Sequence, residues 1–288
     1  MPHSPDPPIR IAVSAAPVFV DNRITVSSIA VLAYIVTNVA HEGAGHALGF
    51  YLAGGKSAML TTTRLIEWVT LPDPQWRIFD LGGLAGNLAC AFLAWLIQRF
   101  VRKRPVQLRF FLWLVMAFCL FWAFGYMVLS GITGNGDWMA LIYGSNLRWL
   151  GQATLVLSGF FLYRWSIRWV TGEVCFVIPF SDAETRSRIL RLIWISYVSA
   201  GLIACAGAIL DPRGTMEVLR SGAMSSFAAF IGLLYIPRNF TRLFSSPILP
   251  NVVEKPISWD LPWILAAAAG AIYFIGILGP GILIYMGN

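Results

Sequence analysis

Three ionisable side chains, His41, Glu42 and His46, lie close together inside an apolar stretch of the sequence, 39-VAHEGAGHALGF-50. A charged group at membrane depth costs about 2.5–3.5 kcal/mol on insertion scales, so such a group needs a compensating partner. Neutral imidazoles are zinc ligands, and a carboxylate beside them can act as a general base. The segment therefore predicts a zinc site, with His41 and His46 as ligands and Glu42 as the catalytic base.

The spacing of the two histidines departs from the common zinc motif H-E-x-x-H, in which residues i and i+4 share one helical face. Here the spacing is H-E-x-x-x-H, and positions i and i+5 lie about 140° apart on a regular helix at about 100° per residue. A π-bulge would bring them together, and Gly43 and Gly45 favour such a rewinding. We therefore expect an irregular helix between His41 and His46. Two packed histidines without a metal are the alternative.

Zinc needs a third protein ligand, and the remaining histidine, His3, lies in the N-terminal tail. The third ligand is therefore expected to be a carboxylate. Asp137 is the preferred candidate, because the glycines and asparagine before it in 131-GITGNGDWMAL-141 let the backbone fold back toward an ion. Asp80 is the rival, although Arg77 could pair with it at the membrane interface.

The elements that must carry these residues are membrane-spanning helices. Of the 288 residues, 57% are hydrophobic and 12% are charged, whereas soluble domains have about 25% charged residues. The apolar runs predict an all-α polytopic membrane protein with about seven transmembrane helices. These runs lie at about 27–53, 80–100, 109–131, 147–170, 188–210, 216–236 and 260–286. Gly279-Pro280-Gly281 should break the last of them.

The distribution of basic residues predicts the orientation in the membrane. Most Lys and Arg residues fall in the tail and in the loops after the even-numbered spans, which places the N-terminus in the cytoplasm. The basic residues on the outer side are Lys56, Arg64, Arg77, Arg148, Arg213 and Arg220. These flanks explain the net charge of +7. Because no basic surface is interleaved with aromatic residues, we expect the lipid bilayer rather than nucleic acid as a partner.

Three motifs follow one another in an order that resembles a known family. The segment 41-HEGAGHAL-48 is similar to H-E-x-G-H-A-L with one extra residue, and 82-GGLAGNLACAFLAWL-96 is similar to a G-G-P-L-A-N helix. Gly136-Asp137 follows the third span. Together they resemble the site-2 protease family of intramembrane zinc metalloproteases over about residues 27–141. The departures are the histidine spacing, Gly86 in place of the family's proline, and G-D-W in place of L-D-G.

The resemblance implies intramembrane proteolysis of a membrane protein substrate. Zinc would be held by His41, His46 and Asp137, Glu42 would act as the base, and Asn87 would orient the substrate backbone or the oxyanion. The family also has a membrane-associated β-hairpin after the first span. The segment 57-SAMLTTTRLIEWVTL-71 suits strands, and such an edge could bind a substrate as an added strand. An ordinary outer loop is the alternative.

These expectations divide the chain into three parts. Residues 1–26 form a disordered cytoplasmic tail, 27–141 a metalloprotease-like transmembrane core, and 142–288 additional transmembrane helices. The expected location is a bacterial plasma membrane, with the metal site near its outer face.

Two other classes of function remain open from the sequence: a different zinc hydrolase, and a protein that is not an enzyme. A membrane zinc hydrolase of lipid amides or esters would use the same metal and base, with an apolar cleft and no strand edge. A metal transporter should have further polar residues in several spans, and spans three, five and seven have few. A degenerate, non-catalytic metal-binding protein would retain the histidines with altered spacing.

Overall fold

The computed structural model describes residues 20–68, 71–142, 144–178, 183–243 and 255–285. Most of the predicted tail, residues 1–19, lies outside them. The α-helices are α1 (Arg23–Asn38), α2 (Ala47–Leu52), α3 (Asp73–Phe100), α4 (Val106–Thr133), α5 (Arg148–Glu173), α6 (Ala183–Ala208), α7 (Ile236–Leu243) and α8 (Leu261–Tyr273). The π-helical segments are Val39–His46, Val218–Ala228 and Phe274–Leu278, and the 3₁₀ segments are Asp137–Leu141, Val174–Phe176 and Ala229–Tyr235. The strands are β1 (Ser57–Leu60), β2 (Leu65–Glu67) and β3 (Ile282–Tyr285).

Local sequence chemistry accounts for several of these boundaries. The side chain of Asn22 accepts a hydrogen bond from the Thr25 N–H at 3.0 Å and caps α1. Pro72 precedes α3, and Pro74 occupies its first turn, where a missing N–H costs no helical bond. Gly134 ends α4 with a left-handed φ of +69°. Helix α1 begins three residues before the predicted end of the tail at residue 26.

Six helical stretches in the described ranges are long and apolar enough to cross a membrane. They are Arg23–Leu52, Pro74–Phe100, Val106–Thr133, Thr185–Ala208, Val218–Phe240 and Leu261–Leu278. The fourth predicted span, α5, is not among them although it is 26 residues long. Its polar positions and arginines lower its hydropathy. The chain is therefore a helical membrane protein with six such stretches, and a crossing by α5 stays a prediction.

Helix α4 occupies the centre of the bundle. It is apolar on all sides, and 78% of its most apolar 18-residue stretch is buried, as expected for a helix surrounded by others. Helix α5 runs back along it in the antiparallel direction. Trp113 donates to the Val170 carbonyl at one end, and a Cβ at Gly131 would come within 3.0 Å of the Val156 nitrogen near the other. The predicted core and the predicted additional helices thus pack against each other.

A small antiparallel sheet lies beside the helices in the order β2-β1-β3. The predicted hairpin is confirmed, with Leu60 paired to Leu65 next to its turn. The chain also breaks where Gly279-Pro280-Gly281 predicts it, since Gly281 has a φ of +95°. Beyond the break the chain forms β3, which pairs with β1, so the seventh predicted span is shorter than 260–286.

Candidate metal centre

A π-helical segment presents His41 and His46 to each other. The Ala47 N–H donates to the Glu42 carbonyl, five residues earlier, instead of to the fourth. Because a π-helix joins residues i and i+5, the two histidines come to one side of the chain. Their ring centroids are 4.8 Å apart with the planes nearly perpendicular. The predicted irregularity between His41 and His46 is confirmed.

Glycines let α3 approach this segment at backbone distance. A Cβ at Gly45 would lie 2.6 Å from the Gly82 carbonyl oxygen, and one at Gly86 would lie 2.2 Å from the Ala40 carbonyl oxygen. Gly83 faces the histidines, and its Cβ would lie 2.4 Å from His46 Nε2. Small residues at close helix contacts are common in membrane bundles. Here they leave room for two imidazoles between the helices.

Asp137 brings a carboxylate to both imidazoles. It begins a 3₁₀ segment after the turn at Gly134 and Gly136, which have φ values of +69° and +98°. Asp137 Oδ2 is 3.2 Å from His41 Nε2 and 3.3 Å from His46 Nε2. Among the described residues these three side chains form the group with metal-ligand spacing, and Asp80 is not part of it.

The three groups fit a zinc ion in number, type and spacing. Two ligands of a tetrahedral zinc with bonds of about 2.0–2.2 Å lie roughly 3.3–3.5 Å apart, close to the nitrogen–oxygen separations here. Asp137 Oδ2 is buried and has no hydrogen-bond partner in the described chain. It lies between the two Nε2 atoms, so one bound cation could contact all three side chains.

The outer nitrogens of both imidazoles have partners that leave Nε2 directed at the centre. His46 Nδ1–H donates to the Phe79 carbonyl at 2.9 Å, which fixes its tautomer because a carbonyl can only accept. His41 Nδ1 lies 3.1 Å from the Asn87 amide nitrogen, and Asn87 Oδ1 is unpaired among the described residues. Exchanging the amide oxygen and nitrogen, which have the same shape, lets Oδ1 accept from Nδ1–H. Both histidines then offer an Nε2 lone pair.

The resemblance implies a substrate contact for Asn87, and the structure places this residue against His41. It is fully buried and contacts His41, and it is not among the residues that line the cavity described below. Trp122 is a contact that sequence reasoning missed. It stacks on His41 with a centroid distance of 4.8 Å and a plane angle of 26°. Within the uniformly apolar α4, no pattern distinguishes it from an ordinary core tryptophan.

Glu42 lies beside the triad formed by His41, His46 and Asp137. It is 5% exposed, and its Oε1 is 4.0 Å from His41 Nε2. Its Oε2 is buried with no hydrogen-bond partner in the described ranges. A carboxylate oxygen without a partner beside a metal site can accept a proton from a water molecule there.

The triad and Glu42 line one cavity of about 760 Å³. Its wall includes Thr63 and Arg64, which precede β2, and Leu65, the first residue of β2. In the described chain β2 pairs only with β1, so no strand pairs with its outer backbone edge. The cavity thus combines a metal-ligand group, a base and an unpaired strand edge.

Three consecutive threonines hold the β1–β2 turn over this cavity. Thr62 donates to the Gly207 carbonyl and accepts, at its own carbonyl, from the Asn38 side chain. Thr63 donates to the buried carboxylate of Asp211. The turn is therefore fixed to α1, to the end of α6 and to the chain just beyond α6. Sequence reasoning missed these anchors, because their partners are distant along the chain.

Comparisons with protein-family models, with curated proteins and with solved structures found no match for the chain. What can be inferred about its function follows from the side chains of this centre and the cavity around them.

Proposed function

We propose that the protein is an intramembrane zinc metallopeptidase that cleaves a membrane-embedded or membrane-proximal peptide bond. The observation that carries the proposal is the convergence of His41, His46 and Asp137 beside the unpartnered carboxylate of Glu42. A bound zinc ion supplies a Lewis acid that polarises the scissile carbonyl and lowers the pKa of the attacking water.

The chain's own residues then have distinct tasks. His41, His46 and Asp137 would hold the ion. Glu42 would accept the proton of the attacking water at its free oxygen and pass it to the leaving amine nitrogen. The Phe79 carbonyl and Asn87 would keep both imidazoles in the required tautomer. The open edge of β2 would bind an extended substrate through backbone hydrogen bonds.

Two features favour a peptidase over the alternatives. A lipid amide hydrolase needs an apolar cleft, whereas this cavity has a strand edge and several charged side chains on its wall. In a degenerate, non-catalytic protein the extra residue would place the two histidines on different sides of the helix. Here the π-helical segment accommodates that residue and places the two imidazoles side by side. The altered spacing is therefore compatible with a working site.

Zinc content and cleavage test the proposal together. Purified protein should hold about one zinc per chain, and His46→Ala and Asp137→Ala should lose it while Asp80→Ala keeps it. Zinc kept in Asp137→Ala and lost in Asp80→Ala would reverse the choice of the third ligand. Glu42→Gln should retain zinc and cleave a panel of transmembrane peptides about 10²–10⁴-fold more slowly than wild type.

The lipid alternative is tested with the same preparation. Zinc-loaded wild-type protein that hydrolyses N-acyl lipid amides but none of the peptides would support the lipid hydrolase instead. A well-folded protein that binds no zinc would contradict both enzyme proposals.

A further inference from the structure

Arginines are concentrated on the wall of the metal-centre cavity. Four of its lining residues are exposed arginines, namely Arg64, Arg148, Arg213 and Arg220. Six basic residues lie on the predicted outer side, and four of these six line this one cavity. A general excess of surface charge would spread them over that face of the molecule.

Two of these arginines have no acidic partner in the described structure. Arg213 is committed to Asp211 at 3.0 Å and to Glu217 at 3.2 Å, and Arg64 approaches Glu67 at 3.7 Å. Arg148, in contrast, donates to a neutral acceptor, the Gly134 carbonyl.

Arg220 has no hydrogen bond or ion pair from its guanidinium within the described ranges. Two positive charges, those of Arg148 and Arg220, therefore line the cavity without a carboxylate of the described chain within ion-pair distance.

The positions of these cations relate them to the path of a bound substrate. Arg148 is tied to Gly134, in the loop that carries Asp137 to the metal centre. Arg220 lies on the π-helical segment Val218–Ala228, which also lines the cavity. Arg64 immediately precedes β2, whose outer edge is open. An extended chain added to β2 would therefore run beside this group of arginines.

We infer that the substrate is a membrane peptide whose outer flank carries acidic side chains next to the cleaved bond, with Arg148 and Arg220 as its specificity-determining residues. This inference rests on the proposed peptidase function. Guanidinium groups form bidentate, charge-assisted hydrogen bonds with carboxylates, and uncompensated cations also attract an acidic chain and repel a basic one. Anionic lipid headgroups are the competing occupant, but these arginines line the same cavity as the metal ligands.

A binding experiment separates this inference from the proposed function, because it requires no cleavage. Zinc-loaded Glu42→Gln protein in zwitterionic nanodiscs is titrated with three transmembrane peptides that differ only at outer-flank positions, which are Asp, Asn or Lys. Both peptide ends are blocked, so that side chains supply the varied carboxylates. The Asp peptide should bind about tenfold more tightly than the Asn peptide at low salt, and the Lys peptide more weakly than either. Added salt should reduce the preference.

Arginine variants identify the responsible residues. Arg220→Gln should lose most of the preference for the Asp peptide over the Asn peptide, and Arg148→Gln/Arg220→Gln should lose nearly all of it. Lys56→Gln, which changes an exposed outer-side cation away from the cavity, should keep it. Unchanged zinc content in each variant shows that the centre is intact.

Three results would overturn the inference. One is equal affinity for the Asp and Asn peptides, and another is an Asp preference that survives in the double variant. The third is loss of the Asp preference in nanodiscs with phosphatidylglycerol at matched ionic strength, which would assign the arginines to lipid. If wild type cleaves no peptide but the Asp preference holds, the proposed function fails while the binding specificity stands.

Discussion

At the scale of single residues, each imidazole of the centre is held by a neighbour outside the ligand motif. Phe79 and Asn87 set the outer nitrogens, Trp122 stacks on His41, and Gly83 leaves the space that the rings occupy. These contacts decide where the two Nε2 atoms lie, and therefore whether a metal ion can bind both.

Gly83→Ala should weaken zinc binding without unfolding the protein. The added Cβ would lie 2.4 Å from His46 Nε2 and 2.7 Å from His41 Cε1, so both ligands must move. Displacing supporting contacts of a metal ligand costs about 10–100-fold in metal affinity, and we expect at least a tenfold loss here. Chelator competition in mild detergent measures the zinc affinity of the variant and of wild type. Gly172→Ala, where the new methyl group meets nothing within 4 Å, is the matched control.

Asn87→Leu should weaken zinc binding about 10–100-fold, because His41 Nδ1 loses its partner. Chelator competition measures the zinc affinity, and cleavage assays at saturating zinc then separate two roles. If Asn87 only positions His41, as its burial and contact suggest, saturating zinc should restore most of kcat. A loss of kcat that persists in fully loaded enzyme would instead support a direct role on the substrate.

At the scale of elements, the sequence predicts the irregular helix well because the requirement is local. Two ligands five residues apart share an ion only if the helix between His41 and His46 is rewound, and two intervening glycines permit this. The same reasoning could not supply β3. That strand pairs with β1, from which it is separated by more than 200 residues, and its apolar residues resemble the end of a span.

The β1–β2 turn depends on Asp211, which lies outside the spanning helices. Burial alone would raise the pKa of Asp211, but hydrogen bonds from Arg213 and Thr63 outweigh it and lower the pKa. A carboxylate with a lowered folded pKa stabilises the protein above its unfolded pKa of about 3.9, and this contribution is lost as the pH falls through the folded value.

Asp211→Asn should therefore destabilise the protein at neutral pH by about 1–3 kcal/mol, the cost of losing hydrogen bonds to a charged group. Thermal unfolding in detergent measures the difference in Tm between the variant and wild type. That difference should shrink as the pH falls below the unfolded pKa of about 3.9, because the unfolded chain takes up the proton before folded Asp211 does. A Tm difference that stays constant from pH 7 to pH 3 would contradict this role for Asp211.

At the scale of the whole molecule, composition predicts a helical membrane bundle, because an excess of apolar residues in runs of about 20 allows few other folds. It does not predict which helix is central. Helices α4 and α8 are both strongly apolar. The most apolar part of α4 is largely buried, whereas only 17% of the apolar stretch Leu261–Leu278, which contains α8, is buried. Packing against neighbours decides this, and hydropathy does not distinguish a neighbouring helix from lipid.

Arg188→Ala should be the most destabilising of these changes, because Arg188 joins three distant parts of the chain. On α6, it donates to both carboxylate oxygens of Asp21 at 2.7 Å and to the Lys255 carbonyl at 3.1 Å. The two side chains of the pair are only 2% and 7% exposed. Removing one partner of a buried pair leaves an uncompensated charge and costs about 3–5 kcal/mol, which corresponds to a fall in Tm of roughly 10 °C. Thermal unfolding beside Arg191→Ala, an exposed arginine on the same helix, measures it, and equal stability of the two variants would contradict the role of Arg188.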